Sequence, residues 1–137
     1  MSAEHIDSSA SALQGVNAYW RALDAEAIQR GEHRAFIGAM WDDIGKLQLE
    51  FLQAQGLQPQ HRLLDVGCGA LRGGVHFVRY LQHGHYCGID ANASLIDAAR
   101  HELHLAGLQG HGARLLANAD FDVAVFGQRF EFAIAVS

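Results

Sequence analysis

Apolar residues recur along this chain in two rhythms, one suited to helices and one to buried strands. From Leu13 to about Ile28 the apolar face is weak and predicts a helix, preceded over residues 1–12 by a Ser- and Ala-rich stretch with no periodicity. Trp41, Ile44, Leu47, Phe51 and Leu52 then recur at spacings of three and four. Asp42 and Asp43 suit the positive end of that helix and Gly56 can stop it. Pro59 separates it from a strand beginning near Arg62, Leu63-Leu64-Asp65-Val66, which gives way at once to Gly67-Cys68-Gly69. Val75, Val78 and Leu81, with Phe77 beside them, form the next helical stripe, ending before Gly84. His85 to Asp90 reads as a second strand, and Asn92 as the N-cap of a helix with Leu95, Ile96, Ala99 and Leu103 inward, closing at Gly107. Arg114 to Ala117 is a short third strand, and Phe130 to Val136 is a fourth, apolar enough to be expected at the centre of a sheet.

Strands alternating with helices at this spacing imply βαβ units, and hence an α/β domain with a parallel sheet and helices on both faces. Ligands in such sheets sit beyond the carboxyl ends of the strands, where strand order reverses. Gly67 to Gly69, Asp90, Asp120 and Ser137 all fall at those ends. The chain divides into an N-terminal helical segment over 1–58, a possible lid, and a sheet domain over 59–137. The last residue coincides with the end of the fourth strand, so a truncated chain, incomplete at the C-terminus, is expected.

Composition narrows the function. At 137 residues the chain fits one domain. A formal charge of −5 gives no basic footprint for a nucleic-acid backbone. There is no basic start followed by an apolar core, and no run near the roughly 18 apolar residues that cross a bilayer. No membrane partner and a cytoplasmic location are therefore expected. Cys68 and Cys87 do not make a disulfide framework. His83 with His85, and His101 with His104, have ligand-like spacing, but no carboxylate or cysteine set completes a metal site. The helix over 93–106 is expected to expose His101 and His104 beside Arg100 and Glu102. Solvated histidines and no metal are the expectation.

The glycine turn decides the cofactor class. A dinucleotide fingerprint reads G-x-G-x-x-G, whereas Gly67, Gly69, Gly73 and Gly74 give one residue too many. Asp65, two residues before the first glycine, would repel a pyrophosphate and suits an ammonium or sulfonium group. Leu63-Leu64-Asp65-Val66-Gly67-Cys68-Gly69 resembles motif I of the class I S-adenosylmethionine-dependent methyltransferases. Gly88-Ile89-Asp90 is similar to their second motif, Asn118-Ala119-Asp120-Phe121 to their third, and Phe130 to Ser137 to the strand leading into the fourth. The resemblance covers roughly residues 41 to 137, and departs from the family at Leu71, where many members have a third glycine, and at the following Arg72-Gly73-Gly74.

The resemblance implies a Rossmann-like three-layer fold with S-adenosylmethionine (SAM) as cofactor. Asp65 and the backbone of Gly67, Cys68 and Gly69 would line the methionine side, and Asp90 would accept from both ribose hydroxyls. Ala91 would lie by the adenine, Asp120 would accept from the adenine amino group, Phe121 would offer an amide or a wall, and Ser137 would face the reacting methyl. Competing roles are a turn cap for Asp65, a solvated turn acid for Asp90, an Asx-turn for Asp120 and a plain strand-end residue for Ser137. Cys68 is read as chosen for its small size. Trp41, Gly45 and Lys46 either contribute to a lid or, through Trp41, anchor their helix on the sheet. The implied reaction is in-line transfer of the methyl group to an unidentified, expectedly small-molecule acceptor, with no general base assigned. A non-catalytic SAM-binding module and an NAD- or nucleotide-sugar-dependent enzyme are the alternatives.

Overall fold

A computed structural model describes residues 24–37, 40–120 and 122–136. Two short helices come first. Helix α1 (Ala25–Gln29) starts on Asp24, whose carboxylate accepts the Ala27 N–H at 2.7 Å, and α2 is Glu32–Ile37. Of the helix expected over 13–28, residues 13–23 lie outside the described residues, as do the expectations for residues 1–12. The second short helix follows Gly31, whose φ of 79° breaks the run, and was not anticipated.

Helix α3 (Trp41–Ala54) matches its predicted span but not its predicted face. Trp41, Gly45 and Leu52 are buried, whereas Leu47 and Phe51 are 58% and 59% exposed. The rotation has a steric cause. At Gly45 a β-carbon would stand 2.1 Å from the Arg72 carbonyl oxygen and 2.8 Å from the His76 ring, so the helix backbone itself lies on the chain after the glycine turn. A count of apolar side chains cannot register a contact made by the absence of one.

The remaining elements are β1 (Leu63–Val66), α4 (Gly74–Tyr80), β2 (Tyr86–Asp90), α5 (Ala93–Leu105), β3 (Arg114–Ala117), a 3-10 turn (Val123–Phe126) and β4 (Phe132–Ala135). Helix α5 begins as its sequence requires, with the Asn92 side chain accepting the Ser94 and Leu95 amides at 3.0 and 3.3 Å. All four strands are parallel, in the order β3-β2-β1-β4, with Asp65 opposite both Gly88 and Ile134. Strand order thus switches between β1 and β4, so the ligand position expected for such a sheet lies at their carboxyl ends. The fourth strand is shorter than 130–136 and differs from expectation. Among the described strands it stands at the edge, with Ala133 and Ala135 exposed, because it pairs there only with β1.

Side chains alternate across the sheet. Leu63 and Tyr86 point into a core shared with Leu52 of α3, Phe77 and Val78 of α4 and Ile96, Ala99 and Leu103 of α5. Leu64, Cys87 and Ile89 point the other way, where Phe126 packs on them with Phe130 at its margin. Each fully buried Leu or Phe contributes about 1.5–3 kcal/mol, so the helical face carries most of the stabilisation.

A buried polar cluster ties α2 to α5. Arg34 grips the Glu102 carboxylate through Nε at 2.9 Å and a terminal nitrogen at 2.7 Å, and the His33 ring bonds the same carboxylate. Burial alone would raise the Glu102 carboxyl, but these hydrogen bonds and the Arg34 charge outweigh it and bring the pKa down to about 2. Arg34 also lies 5.2 Å over the Trp41 ring and His33 meets that ring edge-on, so Trp41 is an anchor, packed with Ile28, Ala70, Leu95 and Ala98. Glu102 is therefore not the exposed neighbour of His101 that the sequence suggested. Its partners are 68 and 69 residues away, beyond the reach of any local pattern.

Replacing Gly45 by alanine would force a β-carbon against the backbone of Arg72, which has no rotamer to yield. Gly45→Ala is expected to cost about 1–3 kcal/mol despite the better helix propensity of alanine. A urea midpoint no lower than that of the parent chain would refute this reading.

Candidate functional site

The turn after β1 is held by hydrogen bonds back to β2. Gly67 and Cys68 both donate their amides to the Ile89 carbonyl, at 2.8 and 3.0 Å, and Gly69 donates its amide to Asp90 Oδ2 at 2.9 Å. Gly67 and Gly69 take φ of 73° and 55°, the left-handed region that a glycine enters without cost. Leu71 also takes it, at φ 70°, in the place where the family pattern has its third glycine. A leucine there costs about 1–2 kcal/mol, and its fully buried side chain offsets the strain by about as much.

Below the turn lies Asp65, buried, with Oδ2 accepting the Tyr86 hydroxyl at 2.7 Å. Alternation puts Tyr86, Gly88 and Asp90 on one face of β2, and register puts Asp65 on the same face, opposite Gly88. The tyrosine hydroxyl reaches Asp65 across the space that Gly88 leaves. A β-carbon on Gly88 would meet Cys68 Sγ at 2.9 Å and the Tyr86 hydroxyl at 3.0 Å, and one on Gly74 would meet Leu71 at 2.6 Å and that hydroxyl at 2.8 Å. Burial pushes the Asp65 carboxyl up to about 7; the Tyr86 bond opposes this and the Asp90 charge adds to it. Burial, then Asp65, holds the Tyr86 hydroxyl far above its ordinary value, which makes it the donor. Burial and the same two acids push the Cys68 thiol well up, so it is a small filler with no thiolate character.

A cleft of about 190 Å³ opens above this arrangement, lined by Asp65, Gly67, Cys68, Gly69 and Ile134 with Gln48, Arg72, Gly73, Phe77 and Val136. Asp65 and the glycine turn thus line the same cleft. Asp90 is buried directly behind the turn, its Oδ1 accepting the Asn92 amide at 2.9 Å and its Oδ2 that of Gly69. It is neither a solvated acid nor a pair of idle oxygens, though a carboxylate has about four acceptor positions and two remain. Ala91 follows at the strand end, half-buried. Asp120 is exposed beyond β3, its amide held by the Asn118 side chain at 2.7 Å, so the Asx-turn forms with Asn118 as its head. Phe121 and Ser137 lie outside the described residues. Gln48 and Tyr86 escaped the sequence reading as lining residues, and Arg72 entered it only through the departure at Arg72-Gly73-Gly74. Tyr86 carried a signal, its Tyr-x-Gly-x-Asp alternation on a buried strand.

The Asp65 pKa makes a stability prediction. The native carboxyl keeps its proton up to about pH 7, whereas the unfolded one releases it near 3.8. This group's stabilisation is complete below the unfolded value and is lost as pH rises through about 4 to 7, by at most about 1.4 kcal/mol per unit. Asp65→Asn removes that slope, so the variant's stability relative to the parent should climb between pH 5 and 7 and level off above it. A difference independent of pH in urea unfolding would show that Asp65 is ionised throughout.

No family model matches the sequence. Solved structures do resemble the chain. SAM-bound magnesium protoporphyrin IX methyltransferase (ChlM) from Synechocystis PCC 6803 superposes with a TM-score of 0.56 at 14% identity, over 90% of this chain and 55% of that one. SAM-bound CalS10, an amino pentose methyltransferase from Micromonospora echinaspora, gives 0.53 at 27% identity, over 82% and 41%. A SAM-dependent methyltransferase from Thiobacillus denitrificans, in complex with S-adenosyl-L-homocysteine, gives 0.50 at 20%, over 65% and 35%. The chain spans about half or less of the length of these proteins. The chain shares its Rossmann-like α/β fold with these SAM-dependent methyltransferases.

Proposed function

We propose that this chain forms the SAM-binding part of a methyltransferase, with the cofactor's methionine end in the cleft above Asp65. The observation that carries the reading is the lining of that cleft: Asp65 and Arg72 both border it, beside a turn held by main-chain hydrogen bonds. A site offering both signs suits the ammonium and carboxylate of an amino acid, and a buried carboxylate at its floor disfavours the pyrophosphate of NAD or a nucleotide sugar. SAM supplies an activated methyl group on a sulfonium, so a protein that binds it needs chiefly to align the acceptor and exclude water.

In this reading Asp65 takes the ammonium on the oxygen that Tyr86 does not use. Asp90 keeps the turn closed with its two amide bonds and presents its remaining acceptor positions to the ribose hydroxyls. Ala91 adjoins the adenine and Asp120 accepts from its amino group, both by resemblance alone. Neighbours of this fold include enzymes whose names give them a porphyrin or an amino pentose, and by that analogy the acceptor here is a small molecule.

Calorimetric titration with S-adenosylhomocysteine and, separately, NAD tests the cofactor. The homocysteine analogue should bind, more tightly at pH 8 than at pH 6, because its ammonium selects the ionised form of Asp65. Asp90→Ala should weaken it at least tenfold, roughly the worth of one hydrogen bond to a charged group. Binding of NAD without the homocysteine analogue would overturn the reading. Labelled SAM incubated with a metabolite extract separates an enzyme from a binding module: cofactor binding without transferred label favours the module.

A further inference from the structure

A second cleft, of about 290 Å³, lies on the far side of Arg72. Its walls come from α3, α4 and α5: Asp42 and Lys46, then His76 and Arg79, then Glu102, with Arg34 closing one side. Four permanent cations therefore face two carboxylates, in a chain whose formal charge is −5. The imbalance is larger than the count. Glu102 is already spent on Arg34 and His33, and Asp42 is largely in solvent, 3.9 Å from the His76 ring. Lys46, Arg72 and Arg79 have no acid of their own among the described residues, and the Arg72 Nε–H is buried without a partner. Burial and then the Arg79 charge, opposed by Asp42 and helped by Lys46, hold His76 below its ordinary range, so both cations act on this ring.

A concave, partly desolvated cluster of unpaired cations is costly to keep unless something neutralises it. We infer that this cleft is an anion site for a phosphoryl group, held by Lys46 and Arg79 with Arg72 as the wall it shares with the cofactor cleft. Phosphate is favoured because Arg and Lys side chains from α3, α4 and the segment after the glycine turn line one cleft, and such donors suit its tetrahedral set of oxygens. The neutral His76 ring can add a fourth donor. The group can be inorganic phosphate or the head of a phosphorylated metabolite, since the chemistry at the cleft is the same for both.

Titration of the chain with inorganic phosphate and with glycerol 3-phosphate at low ionic strength, followed by backbone amide NMR shifts, tests the site. Saturable shifts at Lys46, His76 and Arg79 are expected, weakening as salt rises. Equal affinity for the two ligands assigns the site to free phosphate; tighter binding of the ester assigns it to a phosphorylated metabolite, and either upholds it. Lys46→Gln with Arg79→Gln should lower the phosphate affinity about tenfold while the protein stays folded. The absence of saturable shifts with either ligand, or unaltered affinity in the double variant, overturns the proposal. Because the homocysteine analogue is titrated in parallel, failure of the cofactor reading and failure of the anion site give different results.

Discussion

The hydrogen bond from the Tyr86 hydroxyl to Asp65 sets the form of everything around it. A carboxylate in the interior of a parallel sheet is costly unless a donor meets it, and here the donor comes from the adjacent strand. For the ring to reach, positions 88 and 74 must lack side chains. Gly88 in turn lets Cys68 settle against β2, which brings the turn amides to Ile89 and Asp90. One polar contact thus explains two glycines, a small cysteine and the seat of the turn.

Much of this was legible in the sequence because it is local. The order of β1, α4, β2 and α5 follows from apolar rhythm punctuated by glycines, and the Asn92 cap from its place before Leu95. The grouping of Asp65 with Gly67 and Gly69 follows from strand and turn chemistry alone. What stayed hidden depends on partners far along the chain. Gly45 turns α3 by meeting the Arg72 carbonyl, and Glu102 is drawn inside by Arg34 and His33. Neither contact leaves a periodic trace, since a missing side chain and a distant ion pair look like ordinary surface.

Charge is distributed with the same economy. Asp65 and Arg72 border one cleft, and Arg72 borders a second with Lys46 and Arg79, so in an acidic chain the two clefts share a wall. Arg72 belongs to the segment that departs from the glycine pattern of the resemblance, and it lines both clefts.

Leu71 shows what such a departure entails. Its left-handed backbone persists only while its side chain is enclosed by the core, so the shape of the ligand turn is maintained by hydrophobic packing rather than by the turn's own preferences. Recognition and cohesion then cannot vary independently: evolution or an engineer, in reshaping this loop to admit a different molecule, would have to recompose the interior of the domain as well.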